Sequence, residues 1–147
     1  MKHIIILLFL VMGINSISAQ NKSEAVIKNP SQSLPVEISS YIKTSFPNHK
    51  VLRHNLNKDD KGNKYEVYLD KDIVLDFNSK NEIVSIDGKS KLPDSAIPSK
   101  ILAYVKSSYA ANSIIEWEWD DKVQQVTLDN GVELEFNKAG EYILTDK

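Results

Sequence analysis

Leu34-Pro35-Val36-Glu37-Ile38-Ser39-Ser40-Tyr41-Ile42-Lys43-Thr44-Ser45-Phe46 returns as Ile97-Pro98-Ser99-Lys100-Ile101-Leu102-Ala103-Tyr104-Val105-Lys106-Ser107-Ser108-Tyr109. Pro35/Pro98, Tyr41/Tyr104, Lys43/Lys106 and Ser45/Ser108 coincide. Further on, Val67, Leu69-Asp70, Leu75, Phe77-Asn78 and Glu82 return as Val126, Leu128-Asp129, Leu134, Phe136-Asn137 and Glu141. Self-similarity of this kind marks a duplicated supersecondary unit. Two copies are too few for a solenoid, so they are expected to pair into one body. The units are assigned to residues 34–90 and 91–147, sharing one fold.

Each copy opens on a helix. Leu34, Ile38, Tyr41, Ile42 and Phe46 fall near helical spacing, as do Ile97, Ile101, Tyr104, Val105 and Tyr109. Pro35 and Pro98 sit where the first turn tolerates a missing N–H. Pro47 cannot continue the first helix, whereas Ala110 stands at the matching place in the second. Four strands follow in each unit: 51–57, 65–69, 73–77 and 82–86, then 114–119, 124–128, 132–136 and 141–145. Asp129-Asn130-Gly131 is a hairpin signal, because a tight turn needs positive φ. Residues 59–63, 78–81 and 137–140 supply further turns. The predicted fold class is α+β: two tandem helix-plus-four-strand repeats forming a mainly antiparallel sheet, with helices packed on one face.

Alternation along the strands separates two faces. Tyr65, Val67, Leu69, Ile73, Leu75 and Phe77 share one, and Val126, Leu128, Val132, Leu134 and Phe136 repeat it. The helices are the available cover. The open face then carries Arg53, Glu66, Tyr68, Val74 and Asp76 in the first unit. In the second it carries Glu116, Glu118, Gln125, Thr127, Glu133 and Glu135. These, apart from Val74, are the candidate binding residues. Like charges side by side on a sheet repel one another, so the four glutamates read either as a solvated face or as a patch for a cationic or amide-rich partner.

The start of the chain is read separately. Met1-Lys2-His3, an apolar run from Ile4 to Met12 and a small, polar end to Ala19 form the layout of a secretory signal peptide. The run is too short to span a bilayer, which needs about 20 residues. Cleavage after Ala19 leaves 128 residues with 17 Lys and Arg against 20 Asp and Glu. Residues 20–33 read as a flexible leader. No later stretch is apolar enough to span a membrane. The charge is mild and mixed without a basic stripe, which argues against nucleic acid as a partner. The absence of Cys excludes disulfides, a thiol nucleophile and Cys-ligated metal.

Catalytic and metal-binding readings find little support. His49 and His54 are five apart across a helix–strand boundary, with no carboxylate at ligand spacing. Residues 57–62 and 70–76 depart from a calcium loop at ligand and glycine positions. No serine has a neighbouring base or an elbow motif. Trp117 and Trp119, with Ile115, align with Leu52, His54 and Leu56 and are assigned to the core or core edge; on an exposed face the same pair would be a binding hot spot. No cofactor, metal site or catalytic residue is predicted.

The recurring text resembles the PepSY-like family related to the β-lactamase-inhibitor proteins. The resemblance rests on Leu34-Pro35 through Phe46-Pro47, Lys64 to Leu69, Ile73 to Asn78 and Ile86-Asp87-Gly88. In the second unit it rests on Ile97-Pro98 through Tyr109 and on Asp129 to Asn137. Lys71-Asp72 in place of Asn-Gly and Ala110 in place of proline depart from the repeated pattern. The resemblance implies secreted bacterial proteins with a concave antiparallel sheet backed by helices, a surface that holds another protein. The function this implies is an exported, non-catalytic binding module, periplasmic or secreted, that engages a protein or peptide and inhibits an envelope or secreted enzyme. The rival reading is a small-ligand or ion sensor using a cleft between the repeats. Inhibition of a β-lactamase in particular does not follow, since no residue maps as a contact with such an enzyme.

Overall fold

The computed structural model describes residues 33–59, 62–120 and 122–146. The signal peptide at 1–19, nearly all of the 20–33 leader and the tip of the first hairpin at 60–61 lie outside these residues. Helix α1 (Val36–Ser45) precedes strands β1 (Val51–Asp59), β2 (Gly62–Leu69), β3 (Ile73–Phe77) and β4 (Ile83–Gly88). A short 3-10 turn at Asp94–Ala96 leads into α2 (Ser99–Ser108), then β5 (Ile114–Trp119), β6 (Val123–Leu128), β7 (Glu133–Asn137) and β8 (Tyr142–Asp146). All eight strands form one sheet in sequence order, each antiparallel to the next.

The duplication is visible at the level of side chains. Tyr41 meets Phe77 edge-on at 5.7 Å and Tyr104 meets Phe136 at 5.5 Å, both at 84°. These pairs seat each helix on its own strands, in the geometry the aromatic quadrupole favours. Asn78 Oδ1 accepts from the Lys80 and Glu82 amides, and Asn137 Oδ1 accepts from those of Ala139 and Glu141. His49 donates from Nδ1 to Asp70 Oδ1 at 2.9 Å, where Asn112 donates to Asp129 Oδ1 at 3.0 Å in the second unit.

One row of core-face residues crosses both units. Val67, Leu75, Ile86, Trp117, Val126 and Leu134 are successive register partners on β2 to β7. All are buried, in a single apolar cluster with Ile38 and Ile42 of α1 and Ile101 and Val105 of α2. A unit of about 60 residues is marginal by itself; the shared row and cluster make each half part of the other's interior.

Both helices begin one residue later than Pro35 and Pro98 suggested. The prolines are the caps, with extended ψ of 149° and 133°, which equally removes any demand for their N–H. The second helix stops in register with the first despite lacking the proline. Tyr109 at its end (φ −134°, ψ 46°) copies Phe46 (φ −128°, ψ 53°); the Phe46 ring is buried in the core and Tyr109 packs, half-buried, against it. Packing therefore ends α2 where Pro47 reinforces the end of α1.

Two expectations on the first strands need correction. Leu52 is 67% exposed rather than on the core face, and Ile114 is buried ahead of Ile115. A bulge between Val51 and Arg53 in β1, repeated between Ile114 and Glu116 in β5, adds a residue and breaks the alternation there. Beyond the bulge the expected order resumes. Trp117 is buried and donates to Gln124 Oε1, and Trp119 packs at the core edge.

Candidate functional site

The eight-stranded meander covers one side of its sheet with helices. On the other side the register assembles two rows of polar side chains. The first runs Asn55, Glu66, Asp76, Ser85, Glu118, Gln125, Glu135 across β1 to β7. The second runs Arg53, Tyr68, Val74, Asp87, Glu116, Thr127, Glu133. Every candidate residue from the sequence falls in one of these rows. None of them is in the buried core.

The two ends of this face differ in chemistry. At the first-unit end Arg53 lies over the Tyr68 ring, its Cζ 3.2 Å from the centroid. Asn55 donates to Glu66 Oε2 at 2.9 Å. Burial first, and then the neighbouring Glu66, hold the Tyr68 hydroxyl above its ordinary range in spite of Arg53. At the second-unit end Glu116, Glu118, Gln125, Thr127 and Glu133 line a shallow hollow of about 110 Å³, within which Gln125 donates to Glu133 at 2.8 Å.

Carboxylates meet in the middle. Burial, then the charges of Glu66, Asp87 and Glu118, push the Asp76 carboxyl above its usual range. Glu118 is raised likewise by burial, then by Glu116, Asp87 and Glu133. Each cause penalises the charged form. Asp87 was not among the sequence candidates, nor were Asn55 and Ser85. The sequence pattern ends the fourth strand at residue 86, whereas β4 runs to Gly88. The alternation Ile86 buried, Asp87 exposed, Gly88 buried was the available signal.

A second hollow of about 310 Å³ lies on the first unit, lined by Asn57, Lys64, Tyr65, Asp76, Phe77, Asn78 and Val84. The two hollows sit one on each unit, and β4 pairs directly with β5. Among the described residues, no three His, Asp or Glu side chains are grouped to hold a metal ion. No helix among them is long and apolar enough to cross a membrane. His49 does find a carboxylate, Asp70, though 21 residues away and in a latch between loops rather than a ligand set.

Comparison with known proteins follows the same outline. A family model described as "Putative beta-lactamase-inhibitor-like, PepSY-like" matches residues 18–85 and again 63–144. No curated protein matches significantly. Among solved structures, a "putative periplasmic protein of unknown function" from Bacteroides vulgatus is 32% identical, with TM-score 0.70, over 78% of this chain and 93% of that one. A "putative calcium-regulated periplasmic protein" from Bacteroides thetaiotaomicron is 28% identical, with TM-score 0.72, over 78% and 91%. A second periplasmic protein from B. vulgatus is 29% identical, with TM-score 0.70 over the same shares. The chain belongs to the PepSY-like, beta-lactamase-inhibitor-like family.

Proposed function

We propose that this protein is an exported binding module that presents the open face of its sheet to a protein or peptide and in doing so inhibits an envelope or secreted enzyme. The observation that carries this reading is the face itself. Arg53, Glu66, Tyr68, Asp76, Glu116, Glu118, Gln125, Thr127, Glu133 and Glu135 stand together on it, opposite the helices. The periplasmic relatives support export. A polar sheet face with an Arg–Tyr stack at one end resembles the mixed surfaces at which Tyr and Arg anchor partners.

The test is affinity capture from envelope extract with the mature chain, followed by binding measurements with the purified captured protein. Charge reversal by Glu133→Lys with Glu116→Lys, and separately Tyr68→Ala, are expected to weaken binding at least tenfold. Equal affinity in all variants overturns the assignment to this face. The relative described as calcium-regulated motivates a second reading, an ion sensor. Calorimetry with Ca²⁺ on the mature chain decides it: saturable heat supports sensing, and a flat trace removes it.

A further inference from the structure

The two units are joined in the sheet by the shortest of its seven ladders. β4 and β5 share three register pairs, whereas the other ladders hold four to eight. The middle pair, Ile86 with Trp117, is buried on the helix side. The outer pairs, Ser85 with Glu118 and Asp87 with Glu116, stand on the open side. Asp87 and Glu116 are thus like charges placed directly opposite, an arrangement that destabilises a strand pair.

The surroundings add to this repulsion. Going outward from the joint, the open side presents Asp76 on β3 and Glu66 on β2, then Gln125 and Thr127 on β6 and Glu133 and Glu135 on β7. Among the described strand residues of this face, the cations Arg53 and Lys64 are three and two strands away from β4, and Arg53 is stacked on Tyr68. Opposing forces therefore act on the two sides of one short ladder: apolar burial draws it closed on the helix side, and carboxylate repulsion strains it on the other.

We propose that the joint between the units is charge-sensitive, tightening when the carboxylates on its open side are neutralised or screened and loosening when they are bare. Burial first, and then the charges of neighbouring carboxylates, displace the Asp76 and Glu118 acid equilibria upward beside this joint. This inference concerns the fold and stands whether or not a partner binds.

Native-state hydrogen exchange on the mature chain tests it, with NaCl as the probe. Screening length falls from about 30 Å at 10 mM salt to about 3 Å at 1 M. Protection of the Ser85–Asp87 and Glu116–Glu118 amides is expected to rise roughly two- to fivefold over that range in the wild type, the size of a relieved cross-strand pair. Val67 and Val126 amides, inside the units, are expected to change less. The double variant Asp87→Asn with Glu116→Gln is expected to show the higher joint protection already at 10 mM. A double variant that exchanges like the wild type at 10 mM, one that keeps the full salt response, or a response equal at Val67 and Val126, overturns the proposal.

Discussion

Replacing Leu75 by Ala is the sharpest test of whether the two units fold as one. Leu75 is fully buried on β3 of the first unit, register partner of Val67 and Ile86. A Leu→Ala change at such a site costs the lost burial plus the cavity left behind, about 3–5 kcal/mol. For a chain of this size each kcal/mol shifts Tm by about 3–5 °C, so Tm should fall by roughly 10–20 °C. Both tryptophans, Trp117 and Trp119, belong to the second unit. Their fluorescence therefore reports unfolding of the half that was not touched. Leu75 connects to it through Ile86, which pairs with Trp117. If the core is shared, the tryptophan transition moves down with the far-ultraviolet circular dichroism transition, and the two coincide. A tryptophan transition that stays at its wild-type temperature while the dichroism signal splits in two would refute a common core.

Other perturbations follow from local geometry. Lys71 and Asp72 take φ of 60° and 58° in the β2–β3 turn, where the matching turn of the second unit needs positive φ only at Gly131. Asp72→Gly should therefore stabilise the fold by about 0.5–1 kcal/mol after the entropy of the unfolded glycine is set against the relieved strain; denaturant titration checks it, and a lower midpoint contradicts it. Gly140 has φ of 77°, and a Cβ there would meet Lys100 Cβ at 3.2 Å. Gly140→Ala is expected to destabilise by about 1–2 kcal/mol through strain and displacement of α2, measured by the same titration. Folded-state protonation makes opposite predictions for two aspartates. Asp76 has a raised pKa, so its stabilising contribution is present below the unfolded value and lost as pH rises through the folded one. Asp76→Asn should thus raise Tm at pH 7 and have little effect near pH 3. For Asp70, burial is outweighed by the Lys50 amide, His49 and Lys71, which lower its pKa. Its contribution is present above the unfolded value and lost as pH falls through the folded one, so Asp70→Asn should lower Tm at pH 7 and do less in acid. Thermal scans across pH check both signs. Tyr41, half-buried against Phe77, is pushed up to about 12 by burial against the Ser45 hydrogen bond, so ultraviolet titration should find a tyrosine that ionises well after the ordinary range near 10.

Much of the fold was legible because it rests on periodicity and repetition. The alternation Tyr65, Val67, Leu69 and its copy Gln124, Val126, Leu128 name a buried face before any contact is known, since side chains on a strand alternate whatever the strand pairs with. Only Gln124 breaks the apolar pattern, and it is buried where it accepts from Trp117 Nε1 across the β5–β6 hairpin, a pairing that the alternation along β6 alone does not reveal. The bulges that expose Leu52 and bury Ile114 were illegible for a related reason. A bulge is a property of two paired strands, and the apolar pairs Val51-Leu52 and Ile114-Ile115 do not say by themselves which member turns inward. Asp87 was missed through an early strand end rather than a lack of signal.

The sequence by itself determined the duplicated unit, the helix and four strands in each copy, and most of the side chains that face away from the helices. These follow from chain-local patterns and from the match of one half to the other. Tertiary structure decided what stands beside what. That β4 pairs with β5, so that the two meanders become one sheet, sets Asp87 against Glu116 and joins Ile86 to Trp117. Neither half's local pattern contains that pairing, because hydrogen-bonded edges are alike and only the common core selects which of them meet. The acidic band across the joint is a consequence of that choice, and with it the charge-sensitive middle of the open face.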